Sequence, residues 1–236
     1  MRRSRLWPQL RQALNVLGDR LEKPGKERLI LTGTLSRVVN SQIVSSPARV
    51  ILELPDRVRI EEQSGNQLRV IAFDGQNAWK AGGALNRADE EILESLLLDS
   101  AEHFFFSQMH GLATRFLGSR FRLDDGTASI YTDPFYDIYQ ITDQVPFGRA
   151  TAGQPKLYYF NSDTQLLERV RYQIERDGSQ IETEIQISDW RKVNGQQLPG
   201  RVARLENGRE IVRLTINSAA AGQRVDDGIF VNPQSR

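Results

Sequence analysis

The stretch Gln180-Ile181-Glu182-Thr183-Glu184-Ile185-Gln186-Ile187-Ser188 decides how this chain is read. Ile181, Thr183, Ile185 and Ile187 alternate with Glu182, Glu184 and Gln186, which fits a strand with one dry and one wet face. Outward from it the pattern continues through 166–176 and 157–161 on one side and 198–206 and 209–217 on the other. It returns near the start of the chain. Leu29, Leu31, Gly33 and Leu35 alternate with Thr32, Thr34 and Ser36; Val50, Leu52 and Leu54, then Val58 and Ile60, then Leu68, Val70 and Ala72 follow suit. Between these segments stand Asp74-Gly75, Asp125-Gly126, Asp177-Gly178, Asn194-Gly195 and Asn207-Gly208, dipeptides that supply the positive φ of tight hairpins. Strands joined this way are antiparallel neighbours in a meander.

Two stretches keep a helical period instead. Over residues 4–22, Leu6, Leu10, Ala13, Leu14, Leu17 and Leu21 recur at three- and four-residue spacings, with Arg11, Asn15, Asp19 and Arg20 opposite. Such a stripe needs an apolar partner, and a sheet surface provides one. The second stretch, 87–118, opens with Asn86 and Asp89 as a cap and acidic residues where the helix dipole favours them. Its apolar run from Ile92 to Phe116 predicts two helices bent near Gly111. Phe104, Phe105 and Phe106 cannot all face one side of a helix, so one must meet a second helix, a partner or a ligand. The chain is expected to form one domain over 1–236: N-terminal helix 4–22, strands 28–80, helical insertion 87–118, strands 119–217 and C-terminal segment 218–236.

Composition narrows the function. With 31 Lys+Arg against 30 Asp+Glu there is no whole-protein field to attract nucleic acid, so no nucleic-acid partner is expected. The absence of cysteine excludes disulfides, thiolate metal sites and thiol nucleophiles. No apolar run is long enough for a transmembrane helix. The start, Met1-Arg2-Arg3-Ser4-Arg5, has the basic character of an export signal, but Leu6-Trp7-Pro8-Gln9 does not continue as an apolar h-region. Either the chain is not exported or its signal has been trimmed.

Candidate chemistry is thin. His103 and His110 are two helical turns apart, and Asp99 with His103 makes an i, i+4 pair that surface salt bridging explains. No metal site and no cofactor is expected. Asp124-Asp125-Gly126 reads as a hairpin turn rather than a carboxylate pair. Tyr131, Phe135, Tyr136 and Tyr139 read as aromatics holding a loop over a sheet edge, and Arg169 and Arg171, alternating with Val170 and Tyr172, as a wet strand face. No catalytic constellation emerges, and the chain is not expected to be an enzyme.

Three segments carry a family resemblance. Phe73-Asp74-Gly75-Gln76-Asn77-Ala78-Trp79 resembles the "DG…W" hairpin of the LolA/LolB-like periplasmic lipoprotein carriers. Ser188-Asp189-Trp190-Arg191-Lys192-Val193-Asn194-Gly195-Gln196-Gln197-Leu198-Pro199 is similar to their "D-x-x-x-V-x-G-x-x-L-P" strand–turn–strand, and Asp226-Asp227-Gly228-Ile229-Phe230-Val231-Asn232-Pro233 to their closing "D…F…P" segment. The resemblance implies a mainly β fold with helices: a strongly curved antiparallel sheet, an incomplete β-barrel, covered on its concave side by helices. It further implies a periplasmic, non-catalytic role that holds lipid or the acyl chains of lipoproteins between sheet and lid.

On that reading the apolar cavity is lined by Leu31, Leu35, Leu52, Leu54, Val58, Ile60, Val70, Trp79, Ile185 and Ile187 from the strands and by Phe104, Phe105 and Met109 from the lid. A one-residue slip would invert any strand's contribution. The alternative is a sensor or interaction module of the cell envelope that meets a partner protein through an open sheet edge. Trp79 and Trp190 are both expected to be mostly buried.

Overall fold

The computed structural model describes residues 8–17, 28–54, 56–109, 114–120, 134–142, 155–223 and 225–233. After α1 (Pro8–Val16) come β1 (Arg28–Val39), β2 (Gln42–Glu53), β3 (Arg57–Ser64), β4 (Gln67–Phe73) and the short β5 (Ala78–Lys80). Two helices follow, α2 (Arg87–Leu97) and α3 (Ala101–Met109), then β6 (Thr114–Arg120), β7 (Tyr136–Thr142), β8 (Pro155–Asn161), β9 (Leu167–Arg176) and β10 (Ser179–Ser188). A small hairpin, β11 (Arg191–Val193) with β12 (Gln196–Leu198), precedes β13 (Arg201–Glu206), β14 (Arg209–Ala221) and a 3₁₀ turn at Asp227–Ile229.

The main sheet has twelve antiparallel strands in the order β5-β4-β3-β2-β1-β14-β13-β10-β9-β8-β7-β6, with β5 and β6 as edges. It is an incomplete barrel covered on its concave side by helices, as the sequence suggested. The turn chemistry is a large part of the reason. Asp177-Gly178, Asn194-Gly195 and Asn207-Gly208 each hold two successive positive φ angles, and so does Asn40-Ser41 at the β1–β2 tip. Asp74-Gly75 differs, with positive φ at Gly75 alone; Asp125-Gly126 lies outside the described residues.

Curvature enters at β1–β14, the strand pair that joins the two halves of the sheet. The register steps from Thr32↔Ser218 to Gly33↔Ile216, leaving Asn217 as the extra residue of a bulge. A Cβ built on Gly33 would lie 1.9 Å from the Thr215 carbonyl oxygen, so only glycine permits this approach.

The helical insertion is shorter than expected. The helices break at Leu98–Ser100 and not near Gly111, which lies outside the described residues: Leu98 and Asp99 N–H both reach the Glu94 carbonyl, and Ser100 Oγ accepts from His103 N–H at 3.1 Å to start α3. Residues 114–120 form edge strand β6, not helix, with Phe116 opposite Tyr139 and a bulge before Gly118. An unbroken apolar run does not separate a buried helix from a buried strand, which is why the sequence reading ran on too far. The Asn86–Asp89 cap is present in reciprocal form, Asn86 Oδ1 accepting from Asp89 N–H at 2.9 Å.

Tyr136 and Tyr139 also correct the reading. They are buried on β7 and do not hold a loop over an edge; Tyr131 lies outside the described residues. Within α1, Ala13 and Leu14 are buried, as is Leu17 just beyond it, against the β7–β10 half of the sheet.

Candidate functional site: the seam beneath the helices

Each helix serves a different half of the concave face. Ile92, Leu93, Leu96 and Leu97 of α2 pack on Leu29, Leu31, Leu35, Val50, Leu52, Val58 and Ile60. Phe104 and Phe105 of α3 pack on Tyr139, Tyr158, Phe160, Val170 and Ile185. Phe104 is a hub, with ring centroids 4.9 Å from Tyr158, 5.0 Å from Phe160 and 5.7 Å from Tyr139. Where the halves meet, below the α2–α3 elbow, a crevice of about 40 Å³ remains between Leu29, Leu31 and Leu52 on the floor, Leu96 and Ala101 on the roof, and Ile187, Trp190 and Val202 at the side. That volume holds about one water, whose share of the liquid is roughly 30 Å³, so the seam is closed.

The elbow is held by charge. Asp99, fully buried, accepts from Lys156 Nζ at 2.7 Å and from the Tyr172 hydroxyl at 2.9 Å. Arg204, 1% exposed on the concave face, reaches Ser95 Oγ and Tyr172 Oη at 3.4 Å each and pairs with Glu206 at 3.1 Å. Arg176 then bridges Glu206 at 2.7 Å to Glu91 of α2 at 2.6 Å. Burial and Asp99 raise the Tyr172 phenol well above its usual range. Burial alone would lower the Arg204 guanidinium; Tyr172, Glu91, Glu206 and Asp99 outweigh it and raise it.

Glu94 is the strained member. Burial first, then Asp99, pushes its carboxyl up to about 7, against the pull of Lys156 and Arg204. Its Oε1 is buried without a hydrogen-bond partner among the described residues.

The expected lining residues therefore divide. Leu31, Leu52 and Ile187 reach the crevice. Leu35, Leu54, Val58 and Ile60 lie in the packed core under α2, and Phe104, Phe105 and Ile185 in that under α3. Met109 ends α3, and its side chain lies outside the described residues.

Val70 and Trp79 face the opposite side of the sheet. There Trp79 Nε1 donates to the Phe230 carbonyl at 2.6 Å and Arg59 to that of Ile229 at 2.6 Å, so the C-terminal segment clasps the outer face. Trp79 is buried, and Trp190, at the side of the crevice, keeps only part of its surface exposed, so both are mostly buried as expected.

Sequence reading missed the polar anchor. Asp99 does not pair with His103 at a surface; it is buried and bound to Lys156 and Tyr172. The signal was there in strand parity: Lys156 shares a face with Tyr158 and Phe160, and Arg204 with Val202, so both charges sit at inward positions. Among the described residues, no group of three His, Cys, Asp or Glu side chains could hold a metal, and no helix is long and apolar enough to cross a membrane.

No family model and no curated protein sequence matches the chain. Solved structures do. A LolA superfamily protein from Nitrosomonas europaea superposes with TM-score 0.60 at 13% identity, over 95% of this chain and 98% of its own. A domain described as that of an outer membrane lipoprotein-sorting protein, from Vibrio parahaemolyticus, gives 0.56 at 9% identity over 94% and 97%. A DUF1329 family protein from Desulfovibrio piger gives 0.56 at 10% over 97% and 98%. At such identities the likeness is one of architecture, and the chain has the fold of the LolA superfamily.

Proposed function

We propose that this protein is a non-catalytic binder of lipid or lipoprotein acyl chains in the cell envelope, acting as one domain, and that the chain enters the seam when α2–α3 lifts from the sheet. The observation that carries this reading is the seam itself. It is lined by aliphatic side chains from both halves of the sheet and runs between the apolar cluster under α2 and the one under α3, and the elbow above it is fastened by the Asp99 anchor. Lifting the elbow opens that seam between the two clusters, and each methylene buried in it contributes about 0.8 kcal/mol. The LolA-like fold supports the reading, since one structural neighbour is described as a lipoprotein-sorting domain; a fold alone does not fix function.

Titration with a fluorescent fatty acid is expected to saturate at one probe per chain. Ala101→Leu adds methyl groups to the roof of the crevice and is expected to weaken the probe by about tenfold or more while far-UV circular dichroism stays native. Phe104 and Phe105, at 0% exposure, are unsuitable positions for this test, because a charge there would break the core. A protein that binds no probe is not an acyl-chain carrier, and the interaction-module reading would take its place.

A further inference from the structure

The β1–β2 hairpin outruns its neighbours. β1 pairs with β14 only as far as Arg37↔Val212, and β2 with β3 only from Ala48↔Glu62, so the tip has no lateral partner among the described strands. Its residues Val38, Val39, Ile43 and Val44 are 43%, 44%, 69% and 44% exposed. No charged residue occurs from Val38 to Ala48. An uncharged, apolar, unpaired tip is the kind of edge that soluble proteins usually protect with charge.

Between this tip and the first turns of α2 lies an open groove of about 440 Å³. Val38, Val39, Val212 and Ile92 give it apolar walls, and Arg37, Arg69 and Lys80 give it a cationic end. These three cations share two buried carboxylates. Glu62 takes Arg37 at 2.6 Å and also Arg69; Asp89 takes Arg69 and, at 3.1 Å, Lys80. Among these five residues one positive charge is left over; Glu91, which also lines the groove, is taken by Arg87 and Arg176. The Arg37 Nε–H is buried with no hydrogen-bond partner among the described residues, and burial together with Arg37 lowers the Arg69 guanidinium from its usual value. The cluster is short of one anion, and it is short of it beside an apolar wall.

We propose that this groove binds the anionic head of an amphiphile, a carboxylate or a phosphate carrying a hydrocarbon chain. Arg37 and Lys80 meet the charge and Val38, Val39 and Val212 meet the first methylenes. Ile92 and Leu96 stand one turn apart on α2, the first lining this groove and the second roofing the crevice, so the tail can continue beneath α2. That last step rests on the acyl-chain reading above; the head-group contact does not.

Competition against a fluorescent fatty acid, using oleate, oleyl phosphate, oleyl alcohol and inorganic phosphate, tests it. Oleate and oleyl phosphate are expected to bind about tenfold or more tightly than the alcohol. The double variant Arg37→Gln/Lys80→Gln is expected to erase that preference and leave the alcohol unchanged. At exposed Val39, Val39→Glu should weaken oleate and Val39→Lys should not, a comparison that stands even if the double variant folds poorly. Inorganic phosphate at millimolar concentration should not compete. Equal binding of oleate and oleyl alcohol overturns the head-group site while leaving the acyl-chain reading intact. Binding of none of the three amphiphiles sinks both, and effective competition by inorganic phosphate makes the groove a plain anion site.

Discussion

Lys156→Met is expected to destabilise the protein by about 3–5 kcal/mol, the range for stripping one partner from a buried ion pair. Asp99 is fully buried, and Lys156 Nζ, at 2.7 Å, is the one cation within ion-pair distance of it among the described residues. Without it, the carboxylate keeps the Tyr172 hydroxyl at 2.9 Å and faces Glu94, a neighbour that repels it. The ammonium also lies 4.7 Å from the Tyr172 ring centre, a second favourable contact that the variant forfeits. Asp99→Asn should be costly for the same reason, but the two together should cost less than their sum, because the second change removes the charge that the first one stranded. Urea denaturation of the four proteins of this cycle measures the coupling. Additive losses would mean that the pair does not act as a unit, and the polar anchor of the elbow would lose its main support.

Glu94→Gln is expected to act in the opposite direction and only above acidic pH. The folded carboxyl is pushed up to about 7 by burial and by Asp99, against about 4.5 in the unfolded chain. Below pH 4.5 both states hold the proton and the residue carries no penalty. Between 4.5 and 7 the unfolded chain releases its proton while the folded one keeps it, so stability falls as pH rises. Above 7 the penalty is complete, and a shift of this size corresponds to about 3 kcal/mol. The glutamine variant should therefore match the wild type near pH 4 and exceed it by up to about 3 kcal/mol at pH 8.5. Denaturation midpoints at the two values decide it; equal stability at pH 8.5 would show that Glu94 is better solvated than its buried Oε1 implies.

Neither Lys156 nor Glu94 stands out in the sequence, and Asp99 does so only as a surface partner of His103. Strands with one wet face were legible because alternation and turn dipeptides agreed, as in Ile181–Ile187 followed by Asn194-Gly195 and Asn207-Gly208. Strands buried on both faces were not. In β4, Val70 and Ala72 face the C-terminal clasp while Ile71 and Phe73 face α2, so apolar residues run without a break and hydrophobicity does not tell the faces apart. Val70 and Trp79 were placed in the cavity for that reason. Strand β6 was hidden in a run that began as helix.

The anchor was hidden for a different reason. Asp99, Lys156, Tyr172 and Arg204 come from the elbow and three strands and meet only through the sheet order β13-β10-β9-β8. A charged residue in an alternating segment is read as solvated, and nothing in the alternation of Arg169 and Arg171 with Val170 and Tyr172 tells that Tyr172 meets a buried carboxylate on its inward side. Their inward parity is a signal only after the face has been fixed by the neighbouring strands.

The most direct test of the account uses Trp190, which lines the crevice, while Trp79 is buried on the other side of the sheet. In a Trp7→Phe background, fatty acids carrying a nitroxide at successive positions along the chain would be titrated while tryptophan fluorescence is followed. The account predicts saturable quenching that depends on the nitroxide position and that disappears in Trp190→Phe, leaving Trp79 emission unchanged. Quenching of Trp79 alone, or of neither tryptophan at saturating fatty acid, would contradict the claim that the seam beneath α2 and α3 opens to hold an acyl chain.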